Sequence, residues 1–95
     1  MTNDSESTRG VYGITVAAEL SGAREQALRL YERKGLLTPV RTAGGTRRYS
    51  ERDVTVLRRI VALLEEGVNL AGARRVLDLE ATNRQLMKRL SDLTE

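Results

Sequence analysis

The sequence contains no cysteine, histidine, phenylalanine or tryptophan, and a single proline, Pro39. Without thiols or imidazoles it can form no disulfide, offers no thiolate nucleophile or imidazole base, and lacks the ligands of nearly all zinc and copper sites; no metal and no cofactor is expected. Carboxylates, lysines and hydroxyls remain. Glu19 and the Glu65-Glu66 pair have no partner base and no glycine-rich phosphate loop, and they fall in helical segments where a solvated charge is the ordinary role, so an enzyme is not expected. No apolar run approaches the ~20 residues of a membrane span, and the opening MTNDSEST is polar and acidic, without the apolar stretch of a secretory leader. The reading is a cytoplasmic protein with a frayed N-terminal tail and no membrane partner. The only aromatics are Tyr12, Tyr31 and Tyr49, so the core must be aliphatic. A 95-residue chain makes one small domain, burying roughly 60–70% of its unfolded surface, a size at which a second subunit helps.

Charge is modest in total, +3, but uneven along the chain. Residues 1–8 carry two acids and no base; residues 9–49 carry eight Lys/Arg against three acids; residues 50–95 carry eight of each. The positive excess therefore sits in one half, as a phosphate-facing surface requires.

Within that half, ITVAAELSG reads as a short helix, with Thr15 placed to cap the following amides, Val16, Ala17 and Leu20 on an apolar side, and Gly22 for a left-handed exit. REQALRLYERKG follows after one turn as a second helix. On a helical wheel Glu25, Gln26, Arg29 and Arg33 share one polar face, while Leu28 and Tyr31 fall opposite it as anchors to a core. Long donors and acceptors on one face are the types that read base edges and phosphates in a major groove, and two short helices joined at a glycine match helix-turn-helix geometry.

The next stretch, GLLTPVRTAGGTRRYS, reads as a hairpin. Leu36 and Leu37 enter a first strand, Pro39 suits an edge position because it has no amide to donate, and Gly44-Gly45 supplies the positive φ of a tight turn. Along the return strand TRRYS, alternation sends Thr46 and Arg48 to one face and Arg47 and Tyr49 to the other, with the Tyr49 ring at the hairpin's base. Slim at its tip and armed with arginines, the hairpin has the form of a DNA-binding wing.

Ser50 with Asp53 forms a capping box for SERDVTVLRRIVALLEEG, in which Val54, Leu57, Ile60, Val61 and Leu64 make one buried stripe and Gly67 ends the helix. Asn69 is placed to cap LAGARRVLDLE, which packs Leu70, Ala73, Val76 and Leu77. Finally Leu79, Asn83, Leu86, Leu90 and Leu93 recur at four, three, four and three residues, the seam of a coiled coil, with a polar Asn83 in the core that fixes register. The domain reading is a tail over 1–11, a DNA-binding domain over 12–79 and a dimerisation helix over 80–95.

The segments ITVAAELSG, LRLYERKGLL, GGTRRYS and LEEGVNLAGARRVLDLE together resemble the MerR family of bacterial transcription regulators, and most closely its heat-shock repressor (HspR) subgroup. The resemblance implies a mainly α fold, in which a winged helix-turn-helix with a small β-hairpin wing is followed by a helical pair and a C-terminal dimerisation helix. It implies a homodimer on an inverted-repeat operator in double-stranded DNA, acting as a repressor at the bacterial nucleoid, and an antiparallel pairing of the seam helices. The family's recognition-helix contacts fall on Arg24, Glu25, Gln26 and Arg29, its phosphate-approaching tyrosine on Tyr31 and its wing contact on Arg47. Thr15, Arg33, Lys34, Arg41, Gly45 and Arg48 complete the set expected to face DNA. Two positions depart from the family pattern: Ala27 stands where many members have threonine and Leu30 where many have a second tyrosine, each removing a hydroxyl that could meet a phosphate. Metal-sensing members carry cysteines after the dimer helix and drug sensors a further domain; this sequence shows neither, so it resembles a regulator without its own small-molecule sensor. In the HspR subgroup the signal comes through the chaperone DnaK as corepressor, which makes a chaperone a candidate partner in a stress response.

The same fold also serves activators that underwind a promoter and phage-type excision or architectural factors. A coiled-coil interaction protein with a merely solubilising basic half is the alternative outside DNA binding, and it leaves AGGTRRY unexplained.

Overall fold

A computed structural model describes residues 7–94. Its elements are α1 (Ile14–Ser21), α2 (Glu25–Arg33), β1 (Val40–Arg41), β2 (Arg47–Arg48), α3 (Glu51–Glu65) and α4 (Leu70–Thr94). The chain divides into two compact units, Met1–Ala62 and Leu63–Glu95. The expected winged helix-turn-helix occupies the first, and the fold is mainly α as the sequence implies.

The first unit's hydrophobic core includes Ala17 and Ala18 of α1, Leu28 and Tyr31 of α2, Leu37, Tyr49, and Val54, Leu57 and Ile60 of α3. Each helix contributes residues at helical spacing, so the core forms by the burial of one stripe from each. α1 and α2 pack on each other across the turn, with Gly22 in the left-handed conformation that ends α1. The start of α1 differs from expectation. Gly13 is its N-cap and makes no side-chain cap. Thr15 lies inside the helix, where its hydroxyl donates instead to Glu25 Oε2 at 3.0 Å.

The Ser50–Asp53 capping box forms as expected: the Asp53 amide donates to Ser50 Oγ at 3.0 Å and the Ser50 amide to Asp53 Oδ2 at 2.9 Å. Both residues of the box satisfy amides that the first turn of α3 cannot. Further along α3, Arg58 Nε donates to the Leu20 carbonyl at 3.0 Å and so satisfies an oxygen at the end of α1.

The wing is shorter than the sequence suggests. Leu36 and Leu37 precede the first strand, which holds only Val40 and Arg41, and Leu37 and Pro39 are buried. β1 and β2 pair antiparallel, Val40 with Arg48 and Arg41 with Arg47. Of the two tip glycines only Gly45 has a positive φ, +87°. The Gly45 amide donates to the Thr42 carbonyl at 2.9 Å and the Thr42 amide to the Thr46 carbonyl at 2.8 Å. This is the three-residue hairpin pattern, a β-turn followed by one left-handed residue, which demands glycine once rather than twice.

A third stretch joins the hairpin. The amides of Val11 and Tyr12 donate to the Tyr49 carbonyl at 3.0 and 2.9 Å, and the Tyr49 amide returns a bond to Tyr12 at 2.7 Å. Residues 10 and 11, placed by the sequence in the tail, are thus held against the wing; residues 1–6 of that tail lie outside the described residues. Gly10 is where the approach is tightest. A Cβ there would stand 2.3 Å from Val40 Cγ2, 2.9 Å from Arg48 Cβ and 3.1 Å from the Arg48 carbonyl oxygen. Gly10→Ala is expected to push this segment off β2 and destabilise the first unit by about 1–3 kcal/mol, the usual cost of overpacking. An unchanged melting temperature would show that the segment contributes nothing.

In the second unit Leu63 and Ala73 are buried, and Asn69 caps α4 through its Oδ1, which accepts from the Gly72 amide at 2.8 Å. The short helix and the seam helix expected on either side of residue 80 are one continuous helix of 25 residues. Among the described residues no helix is long and apolar enough to cross a membrane.

Candidate nucleic-acid interface

α2 is a nine-residue helix, EQALRLYER, that buries two side chains, Leu28 and Tyr31. Its opposite side is polar: Arg24, its N-cap, and Gln26 and Arg33 are exposed, while Glu25 and Arg29 are half-buried. The periodicity thus presents a face of long donors and acceptors on a helix anchored by apolar residues. The Thr15 hydrogen bond fixes the Glu25 carboxylate between α1 and α2. Ala27 and Leu30 are half-buried.

Tyr31 is only 6% exposed and belongs to the core as much as to any phosphate-facing surface; burial pushes its phenol above the ordinary value. Tyr49 is fully buried at the base of the wing, and burial raises its phenol likewise. Lys34 and Arg48 are exposed, as are Arg41 and Gly45.

The wing arginines are arranged around a residue the sequence reading passed over. Arg41 NH2 pairs with Glu32 Oε2 at 3.0 Å, and Arg47 Nε pairs with Glu32 Oε1. Arg41 NH1 also donates to the Gly45 carbonyl at 3.1 Å. Burial would raise the Glu32 carboxyl, but the two guanidiniums outweigh it and hold the group below its usual range, with Arg47 raised in turn by the hydrogen bond. Thr46 and Arg48 are exposed while Arg47 is half-buried and Tyr49 buried, the alternation expected of the return strand. It aims Arg47 inward at Glu32, and Arg48 is the more exposed of the two arginines. A signal for Glu32 exists in the sequence: an acid in the last turn of a helix faces the negative end of the helix dipole, so it needs a cationic partner.

A second missed contact joins the Tyr12 hydroxyl to Glu51 Oε1, which raises the Tyr12 phenol. Among the described residues no group of three or more carboxylates gathers into a metal site.

The seam residues lie along α4 of the second unit. Leu79, Leu86, Leu90 and Leu93 are exposed, joined by Met87, and Asn83 is exposed beside them. These exposed apolar residues recur at heptad spacing along α4.

Comparison with known proteins agrees with this geometry. The model for the MerR HTH family of regulatory proteins matches residues 12–80. The chain is 50% identical over 84 residues to a putative heat shock protein HspR of Streptomyces coelicolor, covering 87% of this chain and 56% of the relative. It is 46% identical over 67 residues to the HTH-type transcriptional repressor CarH of Myxococcus xanthus, covering 70% of this chain and 22% of that one. Among solved structures it resembles HiNmlR, a MerR family regulator lacking the sensor domain and bound to promoter DNA, with a TM-score of 0.69 and 28% identity, covering 86% of this chain and 64% of the other. The chain spans about half the length of the HspR relative and less of CarH. With a winged helix-turn-helix and a family model that spans it, this chain belongs to the MerR family of helix-turn-helix transcription regulators.

Proposed function

We propose that this regulator is a sequence-specific repressor that binds an inverted-repeat operator as a homodimer. The observation that carries the reading is α2, which turns Arg24, Gln26 and Arg33 outward while Leu28 and Tyr31 hold it to the core. The likeness to a regulator bound to promoter DNA supports α2 and the wing as the DNA-facing elements. The name of the CarH relative favours repression over promoter distortion. Similarity to the HspR relative supports a heat-shock role, and the subgroup resemblance adds a DnaK-type chaperone as candidate corepressor and the cytoplasmic nucleoid as the place of action.

In this reading Arg24 and Gln26 choose bases. Arginine pairs with guanine and glutamine with adenine in the major groove, each bidentate pair contributing about 1–3 kcal/mol of discrimination. Arg29, Arg33, Lys34 and the wing contact the backbone, positioning α2 without reading sequence. Tyr31 contributes from beneath, by anchoring the helix. The test is selection from a randomised duplex pool, from which the chain is expected to enrich two half-sites related by a two-fold axis. Gln26→Ala is expected to flatten one position in each half-site. An identical sequence preference from the variant would remove Gln26 from base recognition, and no enrichment by the wild-type chain would overturn the function itself.

A further inference from the structure

Glu32 is an acid on a surface read as facing polyanionic DNA, where its charge alone opposes binding. Its side chain is 20% exposed, against 46% for Arg41 and 31% for Arg47. One guanidinium comes from each strand of the wing, and the two arginines are direct partners in the antiparallel register. Like charges directly opposite each other destabilise a strand pair, and a ladder of two residue pairs has little stability to lose. The carboxylate between them converts that repulsion into attraction. From Glu32 the connection runs through Arg41 to the Gly45 carbonyl, so a chain of hydrogen bonds links the last turn of α2 to the hairpin tip.

We propose that Glu32 is a positioning residue for operator recognition: by holding Arg41 and Arg47 together it sets the wing relative to the recognition helix, so that the two elements engage adjacent DNA in register. The inference rests on the DNA-binding reading given above. Nε is one of five donor N–H groups on Arg47, and the others remain for phosphate while Nε is held. Glu32 therefore acts through the arginines it orients. Register matters only where base contacts and wing contacts must be made at once, on the operator; on random sequence the wing can settle anywhere along the backbone. Loss of Glu32 should thus reduce specific binding while leaving nonspecific binding equal or stronger.

The experiment uses the full chain with Glu32→Gln, Arg47→Gln and the two combined. Affinities are measured at several salt concentrations for the duplex that wild type selects and for a random duplex of equal length, with melting temperatures alongside. For Glu32→Gln the ratio of selected to random affinity is expected to fall about tenfold, the lower end of what a hydrogen bond to a charged group contributes, while random-duplex affinity holds or rises. The double variant is expected to lose little more of that ratio than either single one, because both break the same arrangement. Equal gains on both duplexes would mean that Glu32 only subtracts charge, and additive losses would mean that it acts apart from Arg47; either overturns the proposal. An unfolded Glu32→Gln chain would also overturn it, by making the acid a folding residue. Wild type binding the two duplexes equally would strike the regulator reading itself, and that outcome is visible before any variant is made.

Discussion

A chain carrying Leu86→Asp and Leu90→Asp is expected to sediment as a monomer and to bind its selected operator on the order of a hundredfold more weakly than wild type. In the protomer these leucines are 55% and 56% exposed, so placing carboxylates there costs the isolated fold little. In a helix–helix seam the same carboxylates would be desolvated among apolar side chains, and the seam has only two heptads to lose. In the proposed dimer the second half-site would be bound at an effective concentration set by the tether, which raises overall affinity by about 10²–10⁴ with no new contact. The resemblance implies antiparallel helices, whereas a core asparagine is best attested in parallel dimers; the mass of an Asn83→Leu chain checks separately whether Asn83 restricts the oligomer to a dimer. Circular dichroism separates a dissociated dimer, which keeps its N-terminal helices, from an unfolded chain. A dimeric mass for the double variant would remove these residues from the interface.

The features that were legible in the sequence are those whose partners lie nearby along it. Ser50 and Asp53 cap each other across a single turn, and Asn69 reaches the amide of Gly72. Leu28 and Tyr31 share a face by helical geometry alone. At Thr15 the local option, a cap, competes with a distant one, and the distant one wins: its partner Glu25 lies in the next helix. Leu36 and Leu37 read as the start of a strand because they are apolar, but Leu37 is buried in the core instead, and pairing begins only at Val40. Nothing between Leu79 and Ala81 can stop a helix, since neither glycine nor proline interrupts it, so the packing pattern and the seam pattern both lie along one α4. Glu32 was the most costly omission. Its role depends on a hairpin that folds back from 9 and 15 residues downstream, a relation that no periodicity encodes.

Leu28→Ala is expected to lower the melting temperature of the first unit by on the order of 10–40 °C and to weaken operator binding with it. Leu28 is fully buried, and removing such a leucine costs about 2–5 kcal/mol, depending on how far the cavity collapses. A domain of this size has only about 5–15 kcal/mol in total, and each kcal/mol shifts its midpoint by about 4–8 °C. The functional consequence follows from the brevity of α2. Nine residues are fewer than the roughly 12–15 at which isolated helices become even marginal in water, so the helix exists because Leu28 and Tyr31 dock it. With Leu28 truncated, Tyr31 is the remaining buried anchor, and the face carrying Gln26 and Arg29 loses its fixed orientation. Gln26→Ala is the matched control: Gln26 is exposed, so its loss should alter base preference without moving the melting temperature. Melting followed by far-ultraviolet circular dichroism, together with affinity for the selected duplex below the melting range, distinguishes the two variants. A Leu28→Ala chain that melts with wild type would mean that α2 is held by something other than its buried face.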